Sequence, residues 1–388
     1  MLETCSVAGF LLLSCLIAYT VAGYPLLLGW LARRRARPVR KQPQPRTVSV
    51  VMAVYNGAPF LAEKLNSILN LAYPRELLEI IVVSDGSTDS TDEIAFQFAP
   101  QGVRLLRVPH GGKPAALNAG IAQASGEIVL LTDVRQPLEP ASVARIVACF
   151  ADPAVGVVSG DLIVRQGDLE ETNVGLYWRY ERWIRKQLGK LDSTLGATGP
   201  FYAIRRELTV PIPPDSLLDD VYLPLAAFFR GYRLIVEEQA RAFDHPTGVK
   251  TEFGRKVRTL AGNYQLLWQY PALLSFRNRM LFHYISCKLA RLMLPWMLLL
   301  LLIASCGLPW PWRPLALAAQ GLFYLLAALD FATPPKLALK RLTSPARTVV
   351  SMLAAAACAT AVFFVPPQQL WKPTRVRLPE KGKANRLS

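Results

Sequence analysis

Apolar residues form two kinds of run along this chain. Long charge-free stretches lie towards its ends, and short runs rich in Val and Ile alternate with helical patterns between them. The short runs predict five strands, at 47–54, 78–84, 103–108, 127–132 and 155–164. Helical patterns follow the first four strands, near 59–70, 89–99, 114–124 and 140–150. Such alternation, with strands that are apolar on both faces, predicts an α/β domain whose mainly parallel sheet is covered on both sides.

The long charge-free stretches predict four membrane-crossing helices, because each approaches the length that a bilayer core of ~30 Å requires. They lie between Glu3 and Arg33, between Arg291 and Arg313, at 315–329 and at 349–365. The third is short, so a re-entrant or tilted segment is its alternative. In the first, the basic residues follow the apolar run, which favours a retained anchor over a cleaved signal peptide.

Charge is distributed in a way that fits a membrane protein. The formal charge is +16, and residues 33–46 hold seven basic groups and no acid. These groups abut an apolar run, which favours a membrane flank over a nucleic-acid site. Basic loops stay in the cytoplasm, so the sequence predicts an inner-membrane protein whose residues 33–280 are cytosolic. Four crossings would then place the C-terminal tail outside, yet residues 372–388 hold six basic groups and one acid; the sequence leaves this conflict open.

Composition shifts along the chain predict its domain boundaries. We expect a membrane anchor at 1–32, a basic Pro-rich linker at 33–46 and the α/β domain at 47–245. A basic motif with an interfacial helix at 246–285, a membrane region of two or three spans at 286–367 and a basic tail at 368–388 follow. The helix within the fourth segment is expected over 264–283, where aromatic and apolar residues mix with arginines. A core helix of the soluble domain is the alternative. Six cysteines without a CxxC pair and three histidines favour neither a zinc site nor a disulfide framework.

Polar side chains follow each of the first four predicted strands. Tyr55 and Asn56 follow the first, Asp85 the second, Lys113 the third and Asp133 the fourth. Ligands of parallel α/β sheets bind at the carboxyl ends of the strands, so these side chains are expected in one cleft. A carboxylate there can accept hydrogen bonds from a ribose or a base, and a lysine at a helix start is suited to phosphate. Each motif alone also fits a turn or a helix cap.

The order of motifs resembles the family 2 glycosyltransferases of GT-A fold, in the membrane-embedded branch that includes cellulose, hyaluronan and chitin-oligosaccharide synthases. The matching segments cover roughly residues 47–240: VSVVMAVYNG, VVSDGSTDST, GGKPAALNAG, EIVLLTD, SGDL, GATGPFYAIRRE and LLDD. The resemblance implies a Rossmann-like GT-A domain and an inverting transfer from a nucleotide sugar to a glycan or lipid-linked acceptor. Near the end, Trp371-Lys372-Pro373-Thr374-Arg375 resembles a W-x-x-T-x-R ending of this branch.

The resemblance also assigns roles to single residues. It implies that Asp85 contacts the nucleoside and that Asp133, the first residue of the DxD position, helps to hold Mg²⁺ or Mn²⁺ on the diphosphate. Asp220 falls where the catalytic base lies, with Asp219 as its neighbour. The chemistry is consistent, since sugar transfer needs a cation on the leaving diphosphate and a base for the acceptor hydroxyl. A pair of helix-capping acids is the alternative for Asp219 and Asp220.

Two positions depart from the family pattern. The DxD segment reads Asp133-Val134-Arg135, so its second acid is missing. The QxxRW motif of polymer-making members aligns best with residues 255–259, where Arg255 and Arg258 remain expected diphosphate ligands but Thr259 replaces the tryptophan. Single transfer to polyprenyl phosphate is therefore a close alternative to polymer synthesis, and a catalytically inactive membrane scaffold is a more distant one.

Overall fold

The polypeptide begins with one long helix. We describe it from a computed structural model, which describes residues 2–164, 172–244, 249–334 and 337–370. Helix α1 (Leu2–Ala18) continues through a π-helical turn (Tyr19–Gly23) into α2 (Tyr24–Arg34). The ending W-x-x-T-x-R lies outside the described residues.

A seven-stranded sheet forms the centre of the following domain. Its strands are β1 (Val48–Val54), β2 (Leu78–Asp85), β3 (Val103–Val108), β4 (Ile128–Thr132), β5 (Val155–Val164), β6 (Phe201–Arg205) and β7 (Arg233–Asp244). They lie in the order β3-β2-β1-β4-β6-β5-β7. Strand β6 runs antiparallel to both of its neighbours, and the other pairings are parallel. The five predicted strands and the mainly parallel sheet are confirmed, whereas β6 and β7 were not predicted.

Helices cover both faces of this sheet. They are α3 (Ala58–Leu69), α4 (Thr91–Gln97), α5 (Lys113–Ala122), α6 (Ser142–Cys149), α7 (Thr172–Leu191) and α8 (Asp219–Phe229). Alternate residues of β1 point to opposite faces, so Val50 and Met52 join the core under α3 and α6 while Val51 joins the core under α5. This two-sided burial explains why the strands read as continuous apolar runs.

Helix α9 (Val249–Gln269) corrects one sequence prediction. The expected helix over 264–283 ends at Gln269, because Pro271 restricts the preceding residue to extended conformations and Tyr270 has φ −129° and ψ 72°. A short 3₁₀ turn, Pro271–Leu274, follows. The predicted single interfacial helix is therefore wrong in extent.

The C-terminal region contains the remaining helices: α10 (Leu281–Tyr284), which runs through a π turn into α11 (Ala290–Cys306), then α12 (Trp312–Leu329) and α13 (Lys340–Cys358) with a 3₁₀ turn at Ala359–Phe363. Four segments of the described chain are long and apolar enough to cross a membrane: Glu3–Arg34, Leu281–Cys306, Trp312–Leu329 and Lys340–Phe363. Each predicted span overlaps one of them: the first and third lie within it, the second and fourth run past Cys306 and Phe363, and the second helix begins at Leu281, well before Arg291.

Helices α1–α2 and α10–α11 pack antiparallel along their length. Near the sheet domain, the Tyr24 hydroxyl lies 3.1 Å from Nδ1 of His283, and the Tyr19 hydroxyl lies 2.8 Å from the Ser286 hydroxyl. At the far end, Gly307 lies directly against Ser6.

The end of α13 lies near the end of this helix pair that is closer to the sheet domain. Ala359 and Val362 are buried together with Tyr264 of α9 and Leu292 of α11. The Tyr264 hydroxyl also donates to the carbonyl of Leu292 at 3.3 Å. Helices α12 and α13 together therefore lead the chain back from the far end of α11 to its near end.

Candidate active site

The polar strand ends predicted from sequence meet at one edge of the sheet. The carboxyl ends of β1 and β2 are in register at Val54 and Ser84, and the end of β4 at Thr132 is paired with Phe201 at the start of β6. The loop before β6, at 196–200, therefore lies beside the segment that carries Asp133. This edge is the expected ligand side of a parallel α/β sheet.

Asp85 organises the loop after β3. It is 2% exposed, and its carboxylate accepts hydrogen bonds from the amides of Gly111 at 2.8 Å and Gly112 at 3.0 Å. Gly86 is required beside it, since φ is +65° and a Cβ would lie 2.9 Å from the His110 backbone. Asp85 thus fixes the glycine loop, and its contact with a nucleoside stays a prediction.

Asn56 and Tyr55 form the neighbouring wall. Asn56 adopts φ +49°, and its side-chain oxygen accepts from the Thr88 amide at 2.8 Å. The Tyr55 ring lies 4.4 Å from the His110 ring, centroid to centroid, and Tyr55 is 48% exposed. This exposed aromatic pair suits stacking against a flat base. Sequence reasoning did not single out His110 because nothing in the sequence indicates that it lies beside Tyr55.

Lys113 joins the donor-site residues to the acid pair. Its Nζ lies 2.9 Å from Oδ1 of Asp133 and 3.3 Å from Oδ2 of Asp219, at the first residue of α5. Burial opposes the charge of Lys113, but the carboxylates of Asp133, Asp219 and Asp220 raise its pKa far above the ordinary value. The ammonium group is therefore fixed as a cation between two carboxylates.

Asp219 and Asp220 are the first two residues of α8, where the helix dipole favours negative charge. Asp219 is 4% exposed, whereas Asp220 is partly exposed. Burial and the neighbouring Asp219 raise the pKa of Asp220 to about 6, against the opposing effect of Lys113 and Arg185. A carboxyl group with this pKa is suited to accept a proton near neutral pH.

Tyr202 and Arg258 also interact electrostatically with these acids. The sequence analysis did not identify Tyr202, because no motif marks its position. Tyr202 is fully buried on β6, and its hydroxyl lacks a hydrogen-bond partner among the described residues. Burial raises the pKa of Tyr202, and the carboxylates of Asp219 and Asp220 raise it further. Burial lowers the pKa of Arg258, and the same two acids oppose that shift. Arg258 therefore lies within electrostatic reach of the acid pair.

Arg255 lies one turn before Arg258 on α9 and forms an ion pair with Glu252 at 3.4 Å. Its predicted contact with the diphosphate is untested. Both arginines lie on the helix that joins the site to α11, three residues apart and so on the same side of that helix.

The segment after β4 is fixed from behind. Lys64 on α3 is fully buried, and it donates to the Thr132 hydroxyl at 2.7 Å and to the carbonyl of Gln136. Burial lowers the pKa of Lys64 to about 7. Arg135 lies 3.2 Å from Asp244 at the end of β7. Across the described residues, no group of three or more His, Cys, Asp or Glu side chains is arranged to hold a metal ion.

Comparisons with known proteins identify the domain. Residues 49–210 match the model of the family described as glycosyl transferase family 2. The chain is 25% identical over 247 residues to the probable glycosyltransferase YdaM of Bacillus subtilis (strain 168), covering 58% of this chain and 57% of that protein. It is 33% identical over 121 residues to the poly-beta-1,6-N-acetyl-D-glucosamine synthase of Staphylococcus epidermidis, covering 30% of this chain and 29% of that protein. The matched part thus spans little more than half, or less, of these curated relatives.

A solved structure matches over more of the chain. It is the mannosyltransferase PcManGT from Pyrobaculum calidifontis in complex with GDP-Man and Mn²⁺, which matches with a TM-score of 0.70 and 26% identity over 93% of this chain and 98% of its own. The strand order, the site at the carboxyl edge and these matches agree: residues 49–210 are a family 2 glycosyltransferase domain, and the chain has the GT-A-like fold.

Proposed function

We propose that this enzyme transfers a sugar, with inversion, from a nucleotide sugar to a glycan or lipid-linked acceptor at a membrane surface. The observation that carries the proposal is the position of Lys113, whose ammonium group contacts Asp133 and Asp219 at 2.9 and 3.3 Å. A group suited to bind the diphosphate therefore lies beside the acid pair that includes the proposed base. Inversion rests on the family resemblance and on Asp220 as the single proposed base.

The residues divide the work between the two substrates. Tyr55, Asn56 and Asp85 hold the nucleoside side of the donor, and Lys113, Arg255 and Arg258 offset the charge of its diphosphate. Asp220 takes the proton of the acceptor hydroxyl as that oxygen attacks the anomeric carbon and the nucleoside diphosphate leaves. Asp219, with Asp133, keeps Lys113 charged for the diphosphate, and it raises the pKa of the proposed base Asp220.

A divalent cation fits this site only as a companion of the diphosphate. Asp133 is the acid that would hold Mg²⁺ or Mn²⁺; its carboxylate is 34% exposed, and Arg135 lies where a second acid would be. Magnesium commonly takes one or two protein carboxylates and completes its shell with phosphate and water. Such a cation would neutralise the leaving diphosphate.

The acceptor decides between two forms of the reaction. One relative is named as a synthase of poly-beta-1,6-N-acetyl-D-glucosamine, and a solved relative is named as a mannosyltransferase. Single transfer to a polyprenyl phosphate is the second candidate, and one observation favours it: exposed Thr259 stands where polymer-making members carry a tryptophan. A threonine lacks the aromatic face on which a sugar ring can stack.

We further propose that the chain is an integral protein of the inner membrane with its catalytic domain in the cytosol. The arginines that follow α2 support this orientation. Because the end of α13 packs beside Leu292, α12 and α13 together contribute one net crossing. The described chain then ends, at Leu370, on the cytosolic side, which agrees with the basic sequence of residues 372–388.

The test is a nucleotide-release screen over UDP-, GDP- and dTDP-sugars with the full chain in nanodiscs. Release from one donor class that requires an added lipid or glycan acceptor is the expected result, with Asp220→Asn as the inactive control. If no donor is turned over while nucleotide still binds, the inactive-scaffold alternative replaces the proposal.

A further inference from the structure

Arg185 lies at the centre of a hydrogen-bond group that sequence analysis did not detect. Its guanidinium group on α7 donates to the Thr198 hydroxyl at 2.7 Å, to the Ser159 hydroxyl at 3.0 Å and to the carbonyl of Gly196 at 3.3 Å. The Thr198 amide in turn donates to the Ser159 hydroxyl at 2.9 Å. One side chain therefore joins α7, β5 and the loop before β6.

That loop is in direct contact with Asp220. The Ala197 amide donates to the main-chain carbonyl of Asp220 at 2.8 Å. At Gly199, an added Cβ would lie 2.8 Å from Oδ2 of Asp220, so the carboxylate rests against the loop backbone. A movement of the loop would consequently displace the carboxylate of Asp220.

The charge of Arg185 also acts on Asp220. The three acceptors at the guanidinium group are neutral oxygens. Burial lowers the pKa of Arg185, and among the carboxylates that oppose this shift Asp220 has the largest effect. Reciprocally, Arg185 lowers the pKa of Asp220.

We propose that Arg185 is a positioning residue for the proposed base: it fixes the loop 196–199 against the carboxylate of Asp220. The inference rests on the proposed role of Asp220. An arginine that only fastened α7 to the sheet would contribute to stability without affecting the chemistry of Asp220. The fork of two nitrogens suits this role, since it holds several acceptors in fixed directions.

The first test is steady-state kinetics on Arg185→Ala and Arg185→Lys in the full chain in nanodiscs, with Lys186→Ala as the matched control. Lys186 is the next residue on α7, and its ion pair with Glu238 at 2.7 Å is solvent-exposed. We expect Arg185→Ala to lower kcat by about 10- to 100-fold, as small misplacements of catalytic groups do, with KM for the donor changed less than about threefold. Lys186→Ala should resemble wild type.

The second readout is the pH dependence of kcat/KM. Without Arg185 the pKa of Asp220 rises, so the acid limb of the profile moves to higher pH; Arg185→Lys keeps the charge and moves it less. The other charged or titratable groups around Asp220 are not substituted in these variants; they are Asp219 on the same helix, Lys113 on α5, Asp133 after β4, Tyr202 on β6 and Arg258 on α9. A shift is therefore assigned to Arg185.

A third variant covers the case in which Arg185→Ala does not fold. Thr198→Val removes one acceptor of Arg185 from the loop and should lower kcat in the same direction, with a smaller effect in the Arg185→Lys background than in wild type. Folded variants with wild-type kcat and an unmoved acid limb would overturn the inference. If Asp220→Asn itself keeps its activity, the proposed function fails instead, so the two failures are distinguishable.

Discussion

Arg135 forms an ion pair with Asp244, with 3.2 Å between Nη2 and Oδ2 and with side chains only 15% and 5% exposed. Hydrogen bonds from Phe243 to Pro137 and from Glu139 to Arg241 hold the same segment along β7. A half-buried cation thus occupies the position at which a DxD motif has its second acid, and its ion pair joins it to the last strand of the sheet. Within Asp133-Val134-Arg135, Asp133 is the carboxylate available to a divalent cation.

Asp133→Ala should therefore remove the metal dependence of nucleotide binding. We expect calorimetry with UDP and GDP to give a Kd in Mn²⁺ that rises about tenfold or more, to the metal-free value of wild type. Asp152→Ala serves as the control, because this acid precedes β5 at the edge of the sheet opposite to Asp133. An unchanged metal dependence would mean that the cation is bound by other residues.

Asp220→Asn should abolish transfer while nucleotide binding survives. The base acts in the transition state, so we expect turnover to fall by about 10²- to 10⁴-fold with little change in donor affinity. Asp215→Asn, close by in sequence and bonded to Gln265, is the matched control. Turnover of Asp220→Asn within about threefold of wild type would exclude Asp220 as the base.

The pH profile of the wild type should show an acid limb near 6. Burial and Asp219 raise the pKa of Asp220 to about 6, and a base works only when deprotonated, so kcat/KM should rise with pH up to that value and then level off. Asp219→Asn removes the negative neighbour and should move this limb to lower pH. A limb that moves to higher pH in Asp219→Asn would contradict the assignment.

Product length should be short. Thr259 provides no stacking surface for a sugar ring, and Trp268 and Tyr264 of the same helix pack instead on Phe363, with ring centroids 5.5 and 5.4 Å away. We expect one or a few additions per encounter when donor is in large excess over enzyme. Long polymer beside unused acceptor, seen by chromatography or mass spectrometry, would refute this.

The C-terminus and the catalytic domain should lie on the same side of the membrane. In a cysteine-free background, a single cysteine at Trp310, which is 84% exposed in the turn between α11 and α12, should react with an impermeant maleimide from outside intact cells. A cysteine appended to the C-terminus should react only after permeabilisation. Labelling of the appended cysteine from outside would contradict this topology and favour four membrane crossings with an external C-terminus.

Features that depend on local sequence could be predicted, whereas contacts between residues far apart in the chain could not. Strands β1 to β5 were predictable because two-sided burial requires continuous apolar runs, whereas β6 is five residues long and follows a loop of mixed composition. Lys113 was predicted as a phosphate ligand from the local sequence GGKP, but its contact with Asp219 joins residues far apart in the chain and has no local signature. Pro271 did signal the end of α9, and the aromatic content of 264–283 outweighed it.

Arg185 shows a different limit. It lies in the run WRYERWIRK, where charged residues at helical spacing read as a solvated face. Its neighbour Lys186 does lie on that face, and only the packing of α7 against β5 distinguishes the two. The roles of Asp85, Arg255 and Arg258 came from the family resemblance and stay predictions, because no local sequence pattern shows which ligand groups these side chains contact.

Helix α9 connects the acid pair of the candidate active site to α11 and so fixes the distance between them. Arg258 faces the acid pair, and Tyr264, six residues on, is bonded to Leu292 of α11. Six residues of α-helix span about 9 Å, so α9 holds Arg258 and the acid pair a short fixed distance from α11, one of the candidate membrane helices. On the proposed topology, an acceptor whose lipid anchor stays in the bilayer would have to present its hydroxyl close to the membrane surface, and α9 would favour the membrane-proximal end of such a substrate.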